Sequence, residues 1–341
     1  MSSLILPTLL SSLSCLPYGE DWERAVSRAI SLQERGLYED ALPLARRAIK
    51  EAKRSFGPKD GRVAKCSLLL GRLLLQCHSV KEAQKHLQWS YEFFEQEGDD
   101  YGAIARSAIA LSLAERKLNR LDSAISLLRR AVEVREKQLT PHHDDYISTL
   151  VDLAKVLSKA KRSKEAENVF EEALKLSRES YGRFSRELAS LLFYFGKHQR
   201  RSGISKSAKT CFEEAMKILE EQKREGSFQS PKLFRGCADE LLQILSDEGN
   251  EKGMIRVLER KIEHLPSSSL LACKDRLELA RLQRESGRYA DAEENLDAAL
   301  KSFALSSRTI LEEKLLLYES WGKSQEAKGV EEKLRELGSG S

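Results

Sequence analysis

The sequence places an alanine at the same point of a unit that recurs about every forty-two residues. These anchor alanines are separated by 42, 41, 42 and 42 residues and are Ala41, Ala83, Ala124, Ala166 and Ala208. Further columns of Ala, Gly or Ser lie seven residues after and twelve residues before each anchor. A bulky side chain in any column would push two helices apart, so the pattern predicts helices in close backbone contact. Such a unit must stack on copies of itself, which predicts a repeat array.

The clearest copy, residues 145–182, reads as two amphipathic helices joined by a short turn. In each half, apolar residues follow the i, i+3, i+4 and i+7 spacing of one helix face, as Leu150, Leu153, Ala154 and Leu157 do in the first. The turn residue lies five before each anchor, where a helix C-cap often takes left-handed backbone. The sequence therefore predicts helical hairpins with left-handed residues at Gly36, His78, Asn119, Lys161 and Gly203.

Composition and motifs bear on the class of function. A net charge of +4 over 341 residues is too small to indicate a nucleic-acid partner, so none is expected. The six cysteines include no CxxC pair, which argues against a zinc site or a disulfide framework. There is no Gly-rich phosphate loop, GxSxG or HExxH motif. We therefore expect no enzymatic activity, no cofactor and no metal.

The chain divides into regions that differ in how closely they follow the small-residue columns of the repeat. In the copy after residue 230, Leu242 and Met254 occupy columns where small residues belong. We predict an N-terminal apolar segment at 1–20, five regular repeats at 21–221, a linker or bend at 222–230, degenerate repeats with a C-terminal cap at 231–337, and a flexible tail at 338–341.

The N-terminal segment has two interpretations. It is interpreted as a cap over the first repeat in a cytoplasmic protein or, alternatively, as a targeting peptide for a mitochondrion or plastid. The segment is short and is interrupted by Pro7 and Pro17, so no membrane span is expected.

The turns and one linker resemble a known repeat family. Gly36-Leu37-Tyr38 and Gly287-Arg288-Tyr289 match the Gly-x-Tyr turn of the tetratricopeptide repeat, and LTPHHDDYISTLVDLAKVL is similar to the linker and first helix of its kinesin-light-chain-type subclass. The resemblance covers residues 21–221 and continues more weakly to residue 337. It implies an all-α, right-handed superhelical solenoid of about seven helical hairpins plus a C-terminal capping repeat. It also implies a concave groove, lined by the first helices, that binds peptides or partner helices.

Carried onto this sequence, the groove positions hold many cations. The predicted groove residues are Lys65, Arg72, Arg106, Arg116, Lys117, Lys155, Lys159, Tyr194, Lys197, Arg200, Arg201, Arg281 and Arg284. A strip of cations on a concave wall focuses a positive field and suits an acidic, phosphorylated or carboxylate-ended segment. The same residues could instead serve solubility and i,i+4 pairing on an exposed helix face.

These observations lead to one main functional prediction and two alternatives. The main prediction is a non-enzymatic adaptor or scaffold that binds an acidic or phosphorylated segment of a protein partner in a basic groove. The first alternative is a structural or assembly subunit that docks onto a large complex through its outer faces. The second is an RNA-binding helical array, which the long period of the repeat disfavours.

Overall fold

The structure is a computed structural model that describes residues 20–140, 142–181, 185–227, 230–266, 269–302 and 306–339. Within these residues it contains sixteen helices, every regular element is helical, and successive helices pair as hairpins. The all-α prediction is therefore confirmed. Residues 1–19 of the predicted N-terminal segment and residues 340–341 of the predicted tail lie outside the described part of the chain.

The chain forms two compact units, residues 1–176 and 177–341, with one helix crossing the boundary. Unit 1 contains α1 (Glu20–Glu34), α2 (Tyr38–Phe56), α3 (Gly61–Gln76), α4 (Val80–Glu97), α5 (Tyr101–Lys117), α6 (Leu121–Gln138), α7 (Asp144–Lys159) and most of α8 (Ser163–Tyr181). Unit 2 contains the end of α8 and α9 (Arg186–Arg201), α10 (Ser205–Arg224), α11 (Pro231–Asp247), α12 (Glu251–Glu263), α13 (Leu270–Glu285), α14 (Tyr289–Lys301), α15 (Ser307–Trp321) and α16 (Ser324–Ser339).

Small residues lie where the helices of a hairpin touch. All five anchor alanines have 0% exposure. In the α9–α10 hairpin, Gly196 faces the buried ring of Phe212, and a Cβ at Gly196 would lie 2.8 Å from Cε1 of that ring. Where Ser90 replaces alanine, its buried hydroxyl donates to the carbonyl oxygen of Ala64 at 3.0 Å, which satisfies the polar atom. The columns read from the sequence therefore point into the helix contacts.

The hairpin turns adopt the predicted left-handed backbone. The predicted residues have φ values of 60 to 81°, including the non-glycine residues His78, Asn119 and Lys161, each with a φ of 60°. The next residue then donates its N–H to a carbonyl five residues back, as Arg162 does to Leu157 at 3.0 Å. This bond closes the end of the first helix and fixes the direction in which the second helix leaves.

The α11–α12 hairpin achieves close contact in a different way. Leu242 is buried and Met254 is half-buried in the columns that elsewhere hold small residues. The close approach is made instead at Gly253, where a Cβ would lie 2.9 Å from Cδ2 of Leu245. The third small-residue column holds Lys261, whose buried ammonium lies 2.7 Å from both Asp239 and Asp275. A shifted glycine and a buried ion cluster therefore replace two of the three small residues.

We predict opposite effects for two Gly→Ala substitutions in unit 2. Gly196→Ala should lower the free energy of unfolding by about 1–2 kcal/mol, because its Cβ collides with a buried aromatic ring. Gly329→Ala should raise it by about 0.5–1 kcal/mol, because Gly329 lies inside α16 with no heavy atom within 4 Å of an added Cβ. Urea unfolding followed by circular dichroism measures both changes. An unchanged midpoint for Gly196→Ala would mean that the helices at this contact do not hold the close spacing described.

Candidate functional site

A cavity of about 540 Å³ lies in unit 1 on the side formed by the first helices of its repeats. We call it the arginine cavity. It is lined by Arg72 of α3, Arg106 and Arg116 of α5, Arg135 of α6 and Asp145 and Asp152 of α7, with apolar walls from Leu75, Ile109, Leu113 and Val156. Three of these arginines belong to the predicted groove set. The cavity thus combines converging charged side chains with an apolar surface, as binding sites commonly do.

A second cavity of about 430 Å³ adjoins the arginine cavity. We call it the α1–α3 cavity. Val26 and Ile30 of α1 and Lys65 and Leu69 of α3 line it, and both cavities share Arg72 and Arg106, as well as Gln33 and Gln76. The two cavities therefore form one continuous surface along α1, α3 and α5. Lys65, another predicted groove residue, lies on this surface.

The positive charges of Lys65 and Arg106 are only weakly neutralised by the nearby carboxylate of Asp100. Asp100, the N-cap residue of α5, lies 3.6 Å from the ammonium of Lys65 and 3.9 Å from the guanidinium of Arg106. Its Oδ1 also accepts a 2.8 Å hydrogen bond from the N–H of Ala103. Both cationic side chains are more than half exposed, and such long surface pairs contribute little binding energy. Their charge is therefore available to a ligand.

Among the cations that line this cavity, Arg135 is the one that sequence reasoning missed. Its side chain is only 9% exposed, and its Nη1 donates to the carbonyl oxygen of Asp145 and to the hydroxyl of Thr149. Its Nη2 lies 3.5 Å from Oδ2 of Asp145. Burial lowers the pKa of Arg135 from its ordinary value, and the Asp145 carboxylate opposes that shift. The α7 N-terminus thus holds a guanidinium at the floor of the cavity.

A signal for Arg135 was present in the sequence. It lies eleven residues after the anchor Ala124, on a second helix, where the groove prediction did not look. The equivalent residues of the other regular repeats are all buried and uncharged, namely Ala52, Phe94, Ser177 and Leu219. A charged residue in a buried column requires a local reason. Here the reason is the contact with α7.

The other predicted cations of unit 1 have different surroundings. Lys117 donates from Nζ to the carbonyl oxygen of Leu75 at 2.9 Å, which ties the end of α5 to α3. Lys155 lies 2.7 Å from Asp152, a neighbour on its own helix. Lys159 is exposed at the end of α7. None of these three lysines lines the arginine cavity as described.

The predicted cations of unit 2 mostly pair with carboxylates of the following repeat. Lys197 and Arg200 of α9 share Glu240 of α11, at 2.9 and 3.2 Å. Arg281 and Arg284 of α13 likewise share Glu313 of α15, at 2.9 and 3.0 Å, and the Glu313 side chain is 6% exposed. Of the other two predicted residues, Tyr194 is half-buried and Arg201 is exposed. These four cations therefore join neighbouring first helices to each other.

No helix in the described ranges is both long enough and apolar enough to cross a bilayer.

Comparison with known protein families and structures gives a consistent result. The tetratricopeptide repeat model matches residues 24–96, 103–179 and 145–221, and a second model of the same description matches residues 277–341. No curated protein sequence matches the chain.

Three solved structures illustrate the shared fold. A Podosopora anserina protein, described as a kinesin light chain with nearly identical TPR-like repeats, is 15% identical with a TM-score of 0.56, over 61% of this chain and 100% of that one. BtubC (BKLC) from P. vanneervenii is 16% identical with a TM-score of 0.54, over 71% of this chain and 90% of that one. The apo form of RapI is 14% identical with a TM-score of 0.63, over 92% of this chain and 86% of that one.

Identities this low establish a common fold and nothing beyond it. At that level, the predicted resemblance to repeats of the kinesin-light-chain type is confirmed. The family models cover well over half of the sequence, over residues 24–96, 103–221 and 277–341. The chain belongs to the tetratricopeptide repeat family.

Proposed function

We propose that unit 1 binds an acidic segment of a partner protein in the surface formed by the arginine cavity and the α1–α3 cavity. A tetratricopeptide repeat array is a scaffold for protein–protein interaction, and the proposal names the place and the chemistry of that interaction. One observation carries it: Arg72, Arg106 and Arg116, chosen from sequence alone, line one cavity with apolar walls. We propose binding without catalysis.

Two physical contributions support binding at this surface. The clustered guanidiniums raise the local concentration of anionic segments and form hydrogen bonds with carboxylate oxygens. The apolar walls, which include Ile109 and Leu113, add surface that a partner side chain can cover. A segment that carries both acidic and apolar residues would use both contributions.

The alternative, docking through the outer faces formed by the second helices, has less support. There the cations of one second helix pair with carboxylates of a neighbouring second helix, as Arg46 does with Glu82 at 2.7 Å and Arg178 with Glu214 at 3.0 Å. A partner that used these charges would first have to break pairs that join adjacent repeats. The surface formed by the arginine cavity and the α1–α3 cavity therefore suits an acidic partner better.

We predict that charge reversal in the cavity abolishes binding of acidic peptides. Arg72→Glu and Arg116→Glu together should weaken binding of a labelled Asp/Glu- and Leu/Phe-containing peptide library by more than about tenfold, because two attractive charges become repulsive. Fluorescence anisotropy measures the affinity. For the wild-type protein it should also fall steeply as salt rises from about 0.1 to about 1 M, which shortens the screening length from about 10 to about 3 Å.

The matched control reverses two arginines on the outer face of the same unit. Arg46 of α2 and Arg129 of α6 are half-exposed and pair with Glu82 and Glu165, so Arg46→Glu together with Arg129→Glu changes the net charge as much as the cavity variant does without touching the cavity. It should leave the affinity within about twofold. Equal losses for the cavity and control variants would show attraction by net charge alone. Equal binding of a Lys/Arg library or of single-stranded RNA would also contradict the proposal.

We further propose that Arg281 and Arg284 brace unit 2 rather than bind a ligand. Glu313→Gln should lower the free energy of unfolding by about 1–3 kcal/mol, because it leaves two guanidiniums without their shared, nearly buried carboxylate. Glu312→Gln is the matched control. Glu312 is 54% exposed and pairs with Arg308 one helical turn away, so its loss should change stability by less than about 0.5 kcal/mol. Equal midpoints in urea unfolding would contradict the structural role.

A further inference from the structure

We infer that the arginine cavity is a phosphoryl site, so that the segment it binds carries a phosphorylated serine or threonine. The inference rests on the proposed function and makes its ligand more specific. A carboxylate would be attracted to the same place. Charge balance, the type of cation and the anchoring of Arg135 favour a phosphate monoester.

The charge of the cavity matches a dianion. Four arginines and two aspartates are the charged residues that line it among the described residues, which leaves a net charge of +2. Just outside the lining, Lys155 pairs with Asp152 and Asp100 lies 3.9 Å from Arg106, so the charges of these two neighbours offset each other. A phosphate monoester carries about −1.5 to −2 charges at neutral pH, whereas a glutamate side chain carries one. A single carboxylate would therefore leave at least one cation in excess.

Every cation that lines the described cavity is an arginine. The lysines of the predicted groove lie elsewhere: Lys65 lines the α1–α3 cavity, and Lys117 and Lys155 are bound to protein oxygens. A guanidinium offers five N–H donors in a planar fork that fits two oxygens of a phosphate at once. A phosphoryl group with three terminal oxygens can engage several such forks, and a carboxylate with two oxygens can engage fewer.

Arg135 is already held in position before any ligand arrives. Its Nη1 donates to the carbonyl oxygen of Asp145 and the hydroxyl of Thr149, and its Nη2 lies 3.5 Å from the Asp145 carboxylate, so a ligand would use Nε and share Nη2 with Asp145. Because its side chain is 9% exposed, little side-chain freedom remains to be lost on binding. A charge in this partly dehydrated position also interacts with an anion more strongly than one in bulk water does.

The apolar walls indicate that the phosphate is attached to a peptide. The cavity of about 540 Å³ exceeds what one phosphate ion fills. The partly exposed side chains of Ile109 and Leu113 offer no hydrogen bonds to a free ion, but they can cover the carbon atoms of a phosphorylated side chain and its neighbours. Inorganic phosphate should therefore compete only weakly.

The test uses three labelled peptide libraries that differ only in a fixed central residue, which is phosphothreonine, glutamate or threonine. With the full chain in fluorescence anisotropy, we expect the phosphothreonine library to bind more than about tenfold tighter than the glutamate library. Unlabelled inorganic phosphate should displace it only at much higher concentration than unlabelled phosphopeptide does.

The Arg106→Lys variant distinguishes hydrogen bonding by the planar guanidinium from attraction by positive charge alone. Arg106 is exposed, so the variant should fold normally, keep its charge and lose most of the preference for phosphothreonine over glutamate. Arg135→Lys should act in the same way, but its loss could disturb the α6–α7 contact, so Arg106→Lys is the decisive variant. Arg129→Lys, on the outer face of α6, is the matched control and should keep the preference.

The outcomes separate this inference from the proposed function. Equal affinity for the phosphothreonine and glutamate libraries would overturn the phosphoryl site while leaving an acidic-segment site intact. Failure of both libraries to bind better than the threonine library would overturn both. Competition by inorganic phosphate at the same concentration as phosphopeptide, or an unchanged preference in Arg106→Lys, would also overturn the phosphoryl-peptide site.

Discussion

The structure depends on the close approach of two helices within each hairpin. The contact between Gly196 and Phe212 shows how little room there is, since one added carbon would lie 2.8 Å from the ring. The anchor alanines are fully buried, and close packing of this kind leaves few alternatives for the angle between helices. Because the repeats of unit 1 recur every 41 or 42 residues, residues at the same offset from successive anchors are expected on the same face. Functional residues on neighbouring repeats can therefore converge on one cavity.

Most of the architecture was predictable because it rests on local, periodic chemistry. The small columns, the left-handed turns and the helix count follow from residue type at fixed spacing, and even Lys161, an unusual residue for a left-handed turn, was placed correctly by its register. The α11–α12 hairpin shows the limit of this reasoning. Gly253 makes the close contact one residue before the expected column, and nothing in a strict period indicates that shift.

The candidate site was only partly predictable. The offset of a residue from its anchor indicates the helix face on which it lies, but it does not indicate which atoms its side chain contacts. Arg72, Arg106 and Arg116 line the same cavity, as their offsets suggest. Lys117 has an offset of the same kind, but its ammonium reaches the carbonyl oxygen of Leu75 on the preceding first helix. Arg135 reaches the cavity from a second helix, because the α7 N-terminus offers it a carbonyl and a hydroxyl oxygen. Contacts between repeats decided these cases, and the period within one repeat does not encode them.

One such contact recurs at fixed offsets from the anchors. Glu240 and Glu313 each lie fourteen residues before the anchor position of their own repeat, at Met254 and Ala327, and each pairs with the cations eleven and eight residues before the preceding anchor. In unit 1 the residue at the same offset before Ala124 is Ala110, which lines the arginine cavity and carries no charge, whereas the residue at this offset before Ala166 is Asp152, which pairs with Lys155.

The neutral residue at this position leaves Arg72 without the carboxylate that its counterparts in unit 2 have. The residue fourteen positions before an anchor therefore decides whether a cation of the preceding repeat joins two repeats or is available to a ligand. The column can be read from sequence once the pairing is known. For Arg72, the charge available to a ligand is the one that the following repeat leaves unmatched.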